Sequence, residues 1–500
     1  LGRIRIVLVC NEPNVANTEA RSVPVNKVTK LGRFWLVGPI KILESGKQSR
    51  GGGPEMSRPP SQQIFCLPFR MKNATLTAWL SRASPVVFAL YASLVAASAY
   101  TCIFAFRKPF TAATFTGLQF AGIDYKIWLI TAQVVGYMIS KWIGVKVISE
   151  MSGEKRAIGI LIMAGAAGAA LAGFALVPVP YNIVFLFLNG LPLGMGWGFM
   201  LGYLEGRRST EVLTAGLSAG FIFSSGLSKS MGLWVMQAWG ISEFWMPLTV
   251  AGLFALPLVG LVYLLDQLPP PTAEDEALRT KRAPMSAAQR WQFLRTFFPG
   301  LVLLILAYVL LTAYRDFRDN FATEVLLALG YGGQSQLFTL TETPIALGVL
   351  LVISLMMLIK NNHRATMINF CIVITGFALV GLSTLAFQRG WLSPVWWFGL
   401  VGLGLYLGYV QFNSILFDRL IATFRYVSNV GFLIYLADSV GYLGSIGVLF
   451  YKNFGQSQVG WLDFFITSSY VVSLLGSGFM LMALRYFWQK NRTWQFRPPG

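Results

Sequence analysis

Between residues 86 and 484 long apolar runs alternate with short polar breaks. A helix crosses a bilayer core with about 20 consecutive apolar residues. Read this way, the pattern predicts twelve spans: 86–105, 127–148, 157–178, 181–204, 212–236, 243–265, 297–315, 336–359, 366–387, 394–417, 427–451 and 462–484. The longest break, DQLPPPTAEDEALRTKRAPMSAAQRWQ at 266–292, is charged and proline-rich and divides the spans six and six. The expected organisation is a six-helix bundle over 71–265, a linker over 266–296, a second six-helix bundle over 297–485 and a tail over 486–500.

Residues 1–70 break this pattern, being polar, basic and interrupted by Gly and Pro. IRIVLVC is too short for a signal-peptide core, and no cleavage pattern follows it. MKNATLTAWLSRASPVVFALYASL reads as an ordinary cytoplasmic lead into a first span. Met71 is therefore the expected natural start, with residues 1–70 a mis-assigned upstream extension or a disordered tail.

Composition agrees with a polytopic membrane protein. Of 500 residues, 55% are hydrophobic and only 12% charged, and the mean hydropathy is +0.59, whereas soluble domains carry about 25% charged residues. The formal charge of +19 does not point to nucleic acid, because Lys and Arg are scattered through short loops and form no basic face. With the amino terminus inside, the inner loops and tail hold Lys146, Lys155, Arg156, Arg207, Arg208, Arg279, Lys281, Arg282, Arg290, Lys360, Arg364, Arg419, Arg425, Arg485, Lys490, Arg492 and Arg497, while the outer loops hold Lys126, Arg389 and Lys452, besides the cations late in the first and seventh spans. That asymmetry predicts cytoplasmic termini at both ends of a cytoplasmic (inner) membrane protein.

Cys10, Cys66, Cys102 and Cys371 show no paired spacing, so neither disulfides nor zinc is implied. His363, in KNNHRAT, reads as a loop residue. GGGPE lacks the Gly-Lys-Ser/Thr ending of a phosphate loop, and no Ser/His/Asp arrangement exists. No enzyme activity and no cofactor are expected. The glycine-rich GLPLGMGWG and VGLGLYLGYV suit close packing between membrane helices.

The chemistry lies in an internal repeat. AFRKPFTAATFTGLQFAG and AYRDFRDNFATEVLLALG open the two halves, each reading Ala, an aromatic residue, then Arg. The span after the first carries Gln133 and Lys141; the span after the second carries Thr341 and Glu342. Parallel repeats of this kind are typical of twelve-helix secondary transporters, whose solute site lies between the halves near the midplane. Arg107 and Arg315 would then face one cavity from opposite sides. A cation at the centre of a span costs about 2.5–3.5 kcal/mol, which a cavity, counter-ion or solute offsets. The competing reading is that cations late in a span reach the headgroups, or that Asp316 and Asp319 neutralise Arg315 and Arg318 locally. Snorkelling is expected for Lys108 and Arg318, and a cavity role for Arg107 and Arg315. For Lys141 both remain open: a third cavity cation, or a side chain snorkelling beside Lys146.

These segments resemble the organophosphate–phosphate antiporter branch of the major facilitator superfamily. FRKPFTAA is similar to its first-helix Arg-Lys-x-Phe motif, GYMISKW to its second-helix Tyr-Gly-x-Ser-Lys-Phe segment, and GMGW at Gly194–Trp197 to its fourth-helix motif. YRDFRDNFATEVL and LFTLTETPIALG resemble the seventh- and eighth-helix segments. The resemblance implies an all-α membrane fold of two pseudo-symmetric six-helix bundles. It also implies phosphate-binding arginines at Arg107 and Arg315, a cavity lysine at Lys141 and a buried glutamate at Glu342. The branch has a fifth-helix histidine where LSAGFIFSSGLSK offers Phe, Ser and Lys229, and its basic loop after the second helix is reduced here to SEMSGEKR.

Paired arginines suit such a solute because a planar guanidinium donates two parallel charge-assisted hydrogen bonds. The expected function is therefore secondary active transport of a small anionic, in the finer reading phosphorylated, metabolite by alternating access and anion exchange. The protein would act as a monomer in the lipid bilayer, without nucleic acid. Glu342, Asp316 and Asp319, with Arg318 and Gln133, would serve as coupling or salt-bridge residues. Two alternatives stand beside this: a proton-coupled symporter in which one of these acids or Asp438 carries the proton, and a non-transporting membrane sensor. Glu205 and Asp418 read as loop-end residues that pair with Arg207 and Arg419.

Overall fold

The computed structural model describes residues 73–151, 153–204, 207, 210–271, 287–424, 430–455 and 459–495. The expectations for residues 1–70, Met71, Glu205, Arg208, Arg279, Lys281, Arg282, Arg425 and Arg497, and those for the side chains of Lys146 and Arg290, lie outside the described residues.

A short helix α1 (Ala74–Arg82) opens the described chain. Asn73 caps it, accepting from the N–H groups of Thr75 and Leu76 at 3.0 and 3.3 Å. The Asn73 N–H donates to Gln267 Oε1 at 2.6 Å, which ties this entry to the end of the sixth span. Ser84 and Pro85 then start α2 (Pro85–Ala105) in the manner favoured at helix N-termini, a hydroxyl cap followed by a proline with no N–H to lose. A 3₁₀ turn at Pro109–Ala112 and a two-residue hairpin (Gln119–Phe120 with Ile123–Asp124) lead into α3 (Tyr125–Glu150). The rest of the first half is α4 (Gly153–Leu176), α5 (Ile183–Leu193), α6 (Gly196–Leu204), α7 (Thr210–Trp239) and α8 (Met246–Asp266). Pro192, in the last turn of α5, has no N–H to donate to the ladder, and the helix ends one residue later, so one predicted span is two helical pieces.

The second half repeats the plan as α9 (Ala287–Asn320), a short α10 (Ala322–Ala328), α11 (Gln336–Met357), α12 (Asn362–Gln388), α13 (Pro394–Gln411), α14 (Phe417–Phe424), α15 (Val430–Phe454) and α16 (Trp461–Gln495). A π turn at Phe412–Leu416 joins α13 to α14 within a single span. Among the described residues nine helical stretches are long and apolar enough to cross a membrane. The other three long helices, α3, α7 and α15, carry Lys141, Lys229 and Asp438. Together they make twelve membrane helices in two six-helix bundles. Leucines such as Leu256 (81% exposed) and Leu474 (74%) stand on the outside, as a lipid-facing belt requires.

The packing has an internal two-fold. In the first bundle α2 packs on α7 and α8, and α5 on α3 and α4; in the second, α9 packs on α15 and α16, and α13 on α11 and α12. Between bundles, α7 meets α11 and α3 meets α15, and these two contacts are each other's counterparts under the repeat.

Two glycine crossings bring helices to backbone contact, α5 on α3 in the first bundle and α12 on α13 in the second. A Cβ on Gly190 would sit 2.3 Å from the Gln133 carbonyl oxygen, and one on Gly376 would sit 2.5 Å from that of Gly404. Gly190→Val is expected to separate α5 from α3 and displace Gln133, lowering the yield of monodisperse protein several-fold on size-exclusion chromatography. A wild-type elution profile and melting temperature would refute this.

Candidate solute site between the bundles

Arg107 leaves α2 just after its last turn, where its N–H donates to the Phe104 carbonyl at 2.9 Å. Its guanidinium lies over the Tyr137 ring of α3, 3.8 Å from the centroid. Arg315, on α9, lies over the Tyr409 ring of α13 at the same 3.8 Å. It also approaches Phe221 of the opposite bundle at 5.7 Å. Lys141, on α3, pairs with Asp438 on α15 and sits 4.9 Å from the centre of the Tyr442 ring. Tyr137 and Tyr442 meet edge to face across the bundle boundary, 5.7 Å apart. Lys141 also lies 5.4 Å from the Tyr137 ring centre, and Tyr409, under Arg315, stacks on Tyr308, whose hydroxyl donates to the same Asp438 that holds Lys141. The two halves thus bring three cations to one tyrosine cluster.

An aromatic face attracts a guanidinium through its quadrupole and leaves the N–H edges free. Arg315 donates to Asp316 at 2.5 Å, and Asp316 also accepts from Ser445 at 2.8 Å. Arg107 makes no ion pair among the described residues. Arg107 Nε and Arg315 Nη1 are buried and have no hydrogen-bond partner. Buried donors left unmade cost about 1–3 kcal/mol each, more when charged.

A second group of charged residues builds a seal at the end of the bundles formed by the connections 106–124 and 321–335. Asp319 on α9 takes Lys108 from the first bundle and Lys229 from α7, the latter at 2.7 Å, and accepts from Ser225. Lys108 also donates to Asn320 at 2.8 Å. Beside them Lys126 pairs with Glu324 and donates to the Thr111 carbonyl at 2.9 Å. Along α7 and α11, Ser230 donates to the Ser335 carbonyl at 2.6 Å and Gln237 to that of Gly333 at 2.7 Å.

Several expectations need correction. Lys108 and Arg318 do not snorkel: they are 6% and 1% exposed and held by carboxylates inside the protein. Lys126 is no loop cation but a 1%-exposed partner of Glu324. Lys141 does not reach for the membrane surface, since Asp438 captures it between the bundles. Arg318 is not paired with its neighbour Asp319, whose carboxylate is held by Lys108 and Lys229. It turns instead to Glu342 at 2.7 Å and the Phe398 carbonyl at 3.1 Å, within its own bundle. Gln133 joins no ion pair. It donates to the Arg107 carbonyl at 3.0 Å and to Asn189 Oδ1 at 2.8 Å, while Asn189 donates to the Phe106 carbonyl at 3.1 Å. Gln133 and Asn189 therefore fix the backbone that carries Arg107.

Sequence reasoning missed the tyrosines and Asn413. Tyr308 donates to Asp438, and Asn413 on the π turn donates to the Tyr308 hydroxyl at 3.0 Å. Tyrosines recurring inside otherwise aliphatic spans were the available signal, since a buried hydroxyl needs a partner.

Twelve helices in two related bundles around this cluster define a multi-pass membrane protein of the major facilitator fold. Solved structures share it: a point mutant of the nucleoside transporter NupG matches with a TM-score of 0.54 at 12% identity, covering 80% of this chain and 99% of its own. A bacterial homologue of the human drug peptide transporters PepT1 and PepT2 matches at 0.52 and 14%, covering 81% and 99%. A bacterial homologue of the human lysosomal transporter Spinster, inward-facing and unoccupied, matches at 0.50 and 11%, covering 83% and 100%. Within that fold the chain belongs to a family of unknown function, DUF5690, whose model matches residues 109–490. No curated protein is detectably similar in sequence.

Proposed function

We propose that the protein is a secondary transporter that carries a small anionic solute across the cytoplasmic membrane by alternating access. Arg107 and Arg315 hold the anion and Lys141 assists. The carrying observation is the convergence of these cations from two bundles on one tyrosine cluster, with buried guanidinium nitrogens lacking acceptors. The transporter neighbours support the transport half of this reading, and the charge of the cluster supports the anion half. The resemblance of FRKPFTAA and YRDFRDNFATEVL to organophosphate antiporters favours phosphorylated solutes and exchange rather than net uptake. Loop charge puts both termini in the cytoplasm and turns the sealed end outward.

Counterflow in proteoliposomes tests it. Vesicles loaded with small phosphorylated or carboxylated metabolites are expected to take up the labelled anion at least about tenfold faster than empty ones. Binding without any exchange would identify a sensor. Uptake driven by a proton gradient and indifferent to the internal anion would identify a symporter. Either result overturns exchange.

A further inference from the structure

Among the described residues, the carboxylates near the centre are committed to ion pairs. Asp319 holds Lys108 and Lys229 at the seal, Glu342 holds Arg318 within the second bundle, and Asp316 holds its neighbour Arg315. The Asp438–Lys141 pair differs in two respects. It joins the two bundles at the tyrosine cluster itself. Its cation is also the most accessible of the ion-paired cations compared: the Lys141 side chain is 18% exposed, against 1–7% for Lys108, Lys229, Arg315 and Arg318. An incoming anion can therefore reach Lys141, and must compete there with Asp438.

Arg107, which makes no ion pair among the described residues, offers the first negative charge of a solute a cation that no carboxylate holds in direct contact. A second negative charge finds Lys141 already taken. We propose that Asp438 sets the charge of the anion that the carrier accepts, acting as a built-in competitor that reserves Lys141 until a doubly charged solute displaces it. Displacement leaves the carboxylate with a second anchor. Its other oxygen accepts from the Tyr308 hydroxyl, which Asn413 on the π turn holds in place. A singly charged anion can use Arg107 and the free edge of Arg315 without disturbing the pair. A doubly charged one must break it. This selector rests on the anion-transport reading above and refines it.

Sulfate and perchlorate are suitable probes, being tetrahedral oxyanions that differ by one charge and do not titrate near neutral pH. Their affinities for the purified full-length protein, measured by calorimetry at constant ionic strength, give a sulfate-to-perchlorate ratio. Asp438→Asn and Asp438→Ser are expected to raise that ratio at least about tenfold, because a fixed unit charge close to the site is removed. Asp438→Glu, which keeps the charge, is expected to stay within about twofold of wild type. The ratio cancels any general loss of active protein, since both anions are measured on the same preparation. An unchanged ratio in both neutral variants, with both anions still bound, overturns the selector and leaves the anion site standing. Failure of wild-type protein to bind either anion overturns the anion site, and the selector with it.

Discussion

Arg107→Lys and Arg315→Lys are each expected to slow anion exchange at least about 100-fold while leaving the protein folded. The charge survives in both variants, so any loss reports on shape. A guanidinium can lie flat on Tyr137 or Tyr409 and still present two N–H groups along one edge, whereas an ammonium is a compact point donor. Hydrogen bonds to charged groups contribute about 1.5–3 kcal/mol each, so losing a bidentate pair from the translocating complex gives a change of that size. Lys at position 315 can still reach Asp316 one residue away, which keeps the α9 pairing and makes the variant well suited to separate transport from folding. Exchange rates in proteoliposomes, read beside melting temperature and elution profile, check the result. Unchanged rates in both variants would remove these arginines from the site.

How much of this could be read beforehand differs between backbone and side chains. Lipid demands a long apolar run for every crossing, so the twelve spans and their six-and-six division stand out in the sequence. Their ends do not. The span predicted over 297–315 belongs to a helix running from Ala287 to Asn320, and it continues because Arg318, Asp319 and Asn320 find partners inside the protein. The predicted span 181–204 breaks near Pro192, whose effect depends on what refills the broken ladder. The matching of Arg107 with Arg315 was legible because a repeat places like residues at like depth. Lys108 and Arg318 were misjudged because depth alone does not decide between headgroup and interior. The deciding factor is a carboxylate on a facing helix, and helix rotation about its own axis, invisible in one sequence, determines which carboxylate that is. Asp319 shows the point most plainly, since it turns away from adjacent Arg318 to reach two lysines of the other bundle.

That shared carboxylate gives the second large effect. Asp319→Asn is expected to open the sealed end. Lys108 and Lys229 are 6% and 1% exposed and converge on this one side chain, with Ser225 also donating to it. Without its charge two buried ammonium groups face each other, and removing one partner of a buried pair destabilises by about 3–5 kcal/mol. The penalty falls on the closed arrangement alone, because parting the bundles lets water reach both lysines. A shift of about 5.5 kcal/mol carries a two-state equilibrium from 99:1 to 1:99 and half of it brings the two states level, so this substitution is large enough to change which state dominates. Thr323 and Thr111 meet across the seal, the Thr323 hydroxyl donating to the Thr111 carbonyl at 3.4 Å, so a cysteine at position 323 reports its opening. Labelling of that cysteine by a membrane-impermeant thiol reagent is expected to quicken at least about tenfold in the Asp319→Asn background. Adding Lys229→Met, which removes one of the stranded charges, should slow it again. Glu342→Gln supplies the contrast: its partner Arg318 lies within the same bundle, so it should lower the melting temperature without exposing the reporter. Equal labelling of folded Asp319→Asn and wild-type protein would make the network a packing feature and leave the closure of this end to the apolar contacts between α7 and α11.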